Sequence, residues 1–148
     1  FKDVNDTYGH PVGDEVLVEM ARRLKSGIRK NDAVARYGGE EFAVILDNAG
    51  EREALKIAEK MHQAIRSKPF VTSAGKIPVT ASFGFSVVSG TEKVNKKVLL
   101  EQADQALYLA KTGGRDRVVS YTEAASAAAE TIPVAADTDS VIQEGKRW

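Results

Sequence analysis

A mixed α/β domain, with helices laid over a sheet, is the fold class this sequence predicts, on three observations. Three long segments carry apolar residues at three- and four-residue spacing, the mark of an amphipathic helix. Between them lie short runs rich in Val, Ile and Phe, which suit strands. The 148 residues are enough for one hydrophobic core and little more. Elements alternating in this way place helices over a sheet, in an α/β or α+β layer.

The first ten residues are polar and turn-rich, with Gly9 placed to halt a short helix. From Asp14 onward, Val16, Leu17, Met20, Ala21, Leu24 and Ile28 form one stripe. Asp14 stands where an N-cap belongs, and Asn31 and Asp32 close the segment. Residues 33–37 and 42–46 read as two strands around Gly38 and Gly39, a β-hairpin, because glycine enters positive φ freely. A second helix over residues 51–66 gathers Leu55, Ala58, Met61 and Ile65 on one face. Residues 79–88 alternate, with Val79, Ala81, Phe83, Phe85 and Val87 on one side, as a strand with one packed face requires.

A third helix over residues 96–112 turns Leu99, Ala103, Ala106, Leu107 and Ala110 inward and stops at Gly113-Gly114. A last strand follows over residues 117–121. Residues 1–121 therefore form the domain. Residues 122–148, rich in Ala, Thr, Ser and Asp, read as a loosely ordered tail, with a docking helix near residues 123–130 as the alternative.

Composition narrows the function. Lys and Arg number 21, as do Asp and Glu, so the basic excess that serves nucleic-acid binding is missing. No apolar run has the length of a membrane span. Without cysteine there is no disulfide, thiolate metal site or cysteine nucleophile, which fits a reducing compartment and a cytoplasmic location. A start at Phe1, without Met or a signal-peptide pattern, suggests a piece of a longer protein.

The sharpest local feature is Arg36-Tyr37-Gly38-Gly39-Glu40-Glu41-Phe42. Glycines at a hairpin tip let a ligand approach the backbone. Two carboxylates at the mouth of an apolar strand are costly unless they meet cations, and such hard oxygen ligands suit Mg²⁺ together with substrate phosphates. Adjacent strand residues face opposite ways, so Glu40 and Glu41 are expected to do different work. A solvated tip with ordinary surface acids fits this motif equally well.

The motif does not stand alone. Phe1-Lys2, Asn5-Asp6, Gly9-His10, Gly13-Asp14 and the Gly-Gly-Glu-Glu-Phe string come in order, followed by Thr80 to Gly84 and by Asp104, Tyr108, Ala110, Lys111, Gly114 and Arg115. From Phe1 to about Tyr121 this series resembles the GGDEF domain of bacterial diguanylate cyclases. The resemblance implies a palm-like nucleotidyl cyclase fold with a central, mostly antiparallel sheet flanked by helices. It also implies condensation of two GTP into cyclic di-GMP with release of pyrophosphate.

Residue roles follow from the same match. Asn5 and Asp14 correspond to the guanine-reading pair, and Asp can accept from N1–H and N2–H₂ of that base. His10 corresponds to a position near the nucleotide. Glu40 and Glu41 correspond to catalytic, metal-binding acids for two Mg²⁺ (or Mn²⁺), with Glu40 favoured as ligand and possible base. Gly39 is expected against the phosphates. Lys111 and Arg115 correspond to the phosphate-contacting pair, and Lys2 to a residue stabilising charge on the α-phosphate. As plain helix-end cations, Lys111 and Arg115 would instead complement the macrodipole.

Arg29 and Asp32 correspond to an Arg-x-x-Asp product-inhibition site, where Lys60 replaces a second arginine and loses its fork geometry. The family's first strand, with a metal-sharing aspartate, ends where this chain begins, so weak or absent turnover is expected of Phe1–Trp148 alone. Catalysis is expected to need a homodimer, one GTP per domain, commonly driven by an upstream sensory or receiver domain. The parent protein could be membrane-anchored ahead of Phe1. The competing reading is a receptor that binds cyclic di-GMP, or GTP, through Arg29 and Asp32 without making it.

Overall fold

The computed structural model describes residues 1–88, 90 and 93–130. Its elements are α1 (Lys2–Tyr8), α2 (His10–Ser26), β1 (Ala33–Arg36), β2 (Phe42–Ile45), α3 (Glu51–Arg66), β3 (Phe70–Thr72) and β4 (Gly75–Ile77). They continue with β5 (Phe83–Phe85), α4 (Lys96–Thr112), β6 (Val118–Ser120) and α5 (Tyr121–Glu130). Among the described residues no helix is long and apolar enough to cross a membrane.

The polar opening decapeptide is more helical than its composition suggests. Gly9 ends α1 at φ 85°, ψ 164°, its N–H donating to the Asn5 carbonyl, and the same residue starts α2. Pro11 fits the first turn of α2, where no N–H is needed. Helix α2 thus begins at His10, and Asp14 lies inside it rather than at its N-cap. It also ends early, at Ser26, with Gly27 N–H donating to Leu24, so Asn31 and Asp32 belong to the following loop.

The hairpin forms as expected: β1 and β2 are antiparallel, with Ala33 opposite Ile45 and Arg36 opposite Phe42. A second hairpin, β3–β4, pairs Phe70 with Ile77 and was not foreseen. The long strand expected over residues 79–88 is hydrogen-bonded only as β5, which runs parallel to β6 with Phe83 beside Val118. Val79 and Ala81 still pack against the core without ladder bonds. Alternation reports a packed face; it does not report a partner strand. In place of one central sheet, the described residues form three two-stranded ladders.

The main core joins Val16 and Leu24 of α2, Met61 and Ile65 of α3, and Phe70, with Val34, Phe42, Val44 and Phe83 packed around them. The helices therefore cover both the β1–β2 hairpin and β5. A smaller core of Ala106, Ala110 and Val119 seats α4 on β6 and receives Ala124. Residues 121–130 are accordingly the docking helix α5, not loose tail, because small alanines let it approach α4 closely; residues 131–148 lie outside the described residues. Gly84 shows the same closeness on β5. A Cβ there would collide with the backbone of Leu107 and Ala103.

One buried cation fastens α2 to α3. Arg23, 8% exposed, donates through Nη1 to the carbonyls of Ala64 (3.1 Å), Ile65 (2.9 Å) and Lys68 (2.6 Å), and through Nη2 to Pro69 (3.0 Å). Its Nε meets Glu19 at 2.7 Å, and the guanidinium lies 4.0 Å over the Phe70 ring. The last carbonyls of a helix lack intrahelical partners and carry negative partial charge, so a cation here satisfies both shortages. Arg23→Met should lower stability by about 3 kcal/mol, since several buried carbonyls lose their donor at once. Arg23→Lys should recover little of it, having charge without the fork. Urea unfolding at equilibrium measures both.

Candidate nucleotide site

A cleft of about 520 Å³ opens between the first two helices and the hairpin. From α1 and α2 it receives Lys2, Asn5, His10, Asp14 and Leu17, together with Phe1; from the hairpin it receives Arg36, Gly39, Glu40 and Glu41. The turn at Gly9 folds α1 back along α2, which brings Asn5 and Asp14 to one wall. Gly13 then sets how closely the helices meet, because a Cβ at Gly13 would collide with the Asn5 carboxamide. Packing α1 on a glycine of α2 thereby fixes where Asn5 sits.

The opposite wall is the hairpin turn. The N–H groups of Tyr37 (2.8 Å) and Gly38 (3.2 Å) both donate to the Glu41 carbonyl. Arg36 Nε donates to the carbonyls of Gly38 (3.1 Å) and Gly39 (3.2 Å), and Nη2 to that of Gly39 (2.7 Å). A Cβ on Gly38 would stand 2.9 Å from Glu41 Oε2, so that glycine makes room for the carboxylate. Around Gly39 a Cβ would meet nothing within 4 Å, and its φ is not in the left-handed region. Among the described residues, neither conformation nor a protein neighbour requires glycine there.

Strand β2 begins at Phe42, so Glu40 and Glu41 belong to the turn, and alternation does not separate them. Both line the cleft. They differ instead in surroundings: Glu40 is exposed, whereas Glu41 is half-buried and electrostatically coupled to Asp104 on α4. Burial first, and then the charge of Glu41, push the Asp104 carboxyl above its ordinary range, while Lys111 pulls it down. Among the described residues no three His, Asp or Glu side chains converge as a ready metal cage. Two turn carboxylates do fit Mg²⁺, which takes one or two carboxylates and completes its shell with phosphate oxygens and water.

Seven expected residues, Lys2, Asn5, His10, Asp14, Gly39, Glu40 and Glu41, thus share one cleft. Lys111 and Arg115 are not among its lining residues; they sit at the end of α4 and in the loop beyond it. Arg36 and Asp104 were quoted in the sequence motifs without a role, and their signal was present. Arg36 precedes the glycine pair whose carbonyls it holds, and Asp104 lies seven residues before Lys111, two turns along α4.

Arg29 and Asp32 do meet, away from this cleft. The Arg29 N–H (2.8 Å) and Nε (3.2 Å) donate to Asp32 Oδ2, and Nη2 to Oδ1 (3.3 Å). Asp47 N–H also donates to Asp32 Oδ1 at 2.9 Å. These donors, the Arg29 side chain first, hold the Asp32 carboxyl down at about 2. Glu53 on α3 takes Arg29 Nη1 at 3.0 Å. A depression of about 280 Å³ beside them is lined by Arg29, Lys30, Asn31, Asp47 and Asn48. Lys60 is exposed on α3 and does not line it.

Known proteins share this arrangement of sequence. The family model described as "Diguanylate cyclase, GGDEF domain" matches residues 1–117. The response regulator PleD of Caulobacter vibrioides is 45% identical over 121 residues, covering 80% of this chain and 26% of that protein. Diguanylate cyclase A of Treponema denticola is 44% identical over 118 residues, covering 80% and 32%. This chain therefore spans about a quarter to a third of the curated relatives it matches.

Two solved structures are close in shape. A GGDEF-only form of YfiN from Pseudomonas aeruginosa is similar at TM-score 0.77 and 33% identity, covering 87% of this chain and 75% of that one. The GGDEF domain of DgcB from Caulobacter crescentus, solved in complex with c-di-GMP, is similar at TM-score 0.74 and 31% identity, covering 82% and 71%. The nucleotidyl cyclase fold of these neighbours is the fold of this chain too. On a match that runs through both walls of the cleft, the chain belongs to the GGDEF family of diguanylate cyclase domains.

Proposed function

We propose that this domain condenses two GTP into cyclic di-GMP with release of pyrophosphate, as part of a bacterial second-messenger system in the cytoplasm. The observation that carries the reading is the single cleft with Asn5 and Asp14 on one wall and Glu40 and Glu41 on the other. A carboxylate beside a carboxamide suits the donor edge of guanine and opposes adenine, which offers an acceptor where guanine has N1–H. Gly39 leaves space for the phosphates beside the carboxylates.

Bound Mg²⁺ or Mn²⁺, two per site, would supply charge neutralisation at the triphosphate and acidify the attacking 3′-hydroxyl. Glu40 and Glu41 would hold those ions, and Glu40, the more exposed, would take the hydroxyl proton. Lys2, on the first turn of α1 in the same cleft, would face charge developing on the α-phosphate. Lys111 and Arg115 would meet the terminal phosphates. Each domain holds one GTP, so the reaction needs two domains face to face, and its gain is mainly proximity. An upstream sensory or receiver domain would bring them together.

A second role is supported by the Arg29 depression. The relative DgcB was solved with c-di-GMP, and we infer that this chain binds the product at Arg29 and Asp32 as feedback. Asp32 is already filled by donors, so the dinucleotide would engage mainly Arg29, in competition with Glu53. A receptor that only binds would keep this site and lose nothing on Glu40→Gln.

Titration calorimetry with Mg²⁺ and GTP or ATP tests base reading: Asp14→Ala should weaken GTP by about 10- to 100-fold and leave ATP unchanged. Equal affinity of the unaltered chain for both nucleotides would sink the proposal. In any form of the protein that turns over, Glu40→Gln or Glu41→Gln should cut cyclic di-GMP output, read by chromatography, by at least about 100-fold. Glu53→Ala should tighten cyclic di-GMP several-fold, because an exposed pair is worth up to about 1 kcal/mol. Since the Asp32 carboxyl is depressed from 3.8 to about 2, its pairing with Arg29 is complete above pH 4 and fails as pH falls through 2. A carbon-detected NMR titration of Asp32 reads that midpoint.

A further inference from the structure

We propose that His62 is a positioning residue for the nucleotide site, which through a hydrogen bond to Asp116 fixes the loop that presents Arg115. The inference rests on the reading above that Arg115 meets the triphosphate. His62 lies on the inner face of α3 and is 7% exposed, in a stretch otherwise given to core packing. Its ring meets Phe83 edge-on, with centroids 6.0 Å apart. Its Nε2 stands 2.6 Å from Asp116 Oδ1, so the polar partner that this buried imidazole needs is supplied by the loop after α4. Arg66, one turn further along α3, reaches the other carboxylate oxygen at 3.5 Å. The Asp116 N–H donates to Ser82 Oγ at 3.2 Å. Three parts of the fold therefore converge on Asp116: α3, the residues before β5, and the loop after α4.

What they restrain is a backbone with reason to relax. Gly114, Arg115 and Asp116 lie in succession at φ 114°, 61° and 47°. Glycine takes such values freely, but two consecutive L-residues do so only where their surroundings hold them. On one side the Arg115 N–H donates to the Ala110 carbonyl at 2.9 Å. On the other, the Arg117 carbonyl accepts from Phe83 N–H at 2.8 Å, where the β5–β6 pairing begins. The His62–Asp116 contact fixes the middle of this span, immediately after Arg115. Without it, Arg115 would still be attached to α4, but its direction would be averaged over the conformations open to Asp116.

The distinction from a merely structural histidine is that the loss should be confined to the phosphates. Titration calorimetry on the full chain with Mg²⁺ would compare GTP with GMP for His62→Leu, His62→Gln, Arg115→Ala and the His62→Leu/Arg115→Ala pair, with folding checked by circular dichroism and thermal melting. Arg115→Ala and His62→Leu should each weaken GTP by about tenfold and leave GMP within about twofold. His62→Gln keeps a donor and should restore most of the affinity. The double variant should bind GTP no more weakly than Arg115→Ala, because His62 acts through Arg115. Equal losses for GTP and GMP, additive losses in the double variant, or unchanged GTP affinity in a folded His62→Leu would each overturn the proposal. Unchanged GTP affinity in Arg115→Ala would instead remove the phosphate role of Arg115, and this inference with it, while leaving the guanine-reading wall standing. Should His62→Leu fail to fold, Asp116→Ala, at a less buried side chain, carries the same comparison.

Discussion

The guanidinium of Arg23 is the contact on which the arrangement of this domain turns. Helices α2 and α3 meet through apolar side chains such as Leu24, Met61 and Ile65, but side-chain burial alone does not fix how far one helix slides along the other. Arg23 does, because its planar donors reach carbonyls of Ala64, Ile65, Lys68 and Pro69 as the chain leaves α3. Phe70 then enters the core beneath the same group. The cleft inherits that precision. Asp14 and Leu17 lie on the helix that Arg23 anchors, and the hairpin bearing Glu40 and Glu41 packs on the core between the anchored pair.

The cleft combines two kinds of order. On the helical wall, close packing does the positioning: Gly13 admits the Asn5 side chain, and the chain reversal at Gly9 aligns α1 with α2. On the hairpin wall, hydrogen bonds do it. Arg36 gathers the carbonyls of the glycine pair inward, and two N–H groups close on the Glu41 carbonyl. The carboxylates of Glu40 and Glu41 line the same cleft as the cations Lys2 and Arg36.

Most of this was legible in the residues, and the failures have physical causes. Helices α3 and α4 were readable to their ends, because an unbroken apolar stripe with a glycine or a polar stop specifies both length and face. The start of α2 was misread because Asp14 has the chemistry of a cap, whereas Pro11 after Gly9 was the stronger signal. Residues 79–88 alternate correctly, yet β5 is three residues long, since pairing depends on a neighbour that local sequence does not contain. The loose tail was inferred from a composition of Ala, Thr, Ser and Asp with little apolar periodicity, and the alanines, which pointed to the docking helix as the alternative, are what let α5 dock on Ala106 and Ala110. At the site, motif residues were found because they fall in ordered blocks that match a family pattern, not because any one of them is chemically unusual. Asp104 was quoted in a motif without a role, and His62 was passed over because it looks ordinary on its own helix until the fold supplies a partner.

Gly84 has a consequence for how the domain can move. With no side chain between them, β5 and α4 rest backbone against backbone at Leu107 and Ala103, and such a seat has no rotamers to absorb a shift. Asp104 and Lys111 ride on that helix, and β6 is tied to the same strand. Any rocking around a bound molecule would therefore carry this whole slab as a unit, and flexure would have to occur in the connecting segments rather than within it.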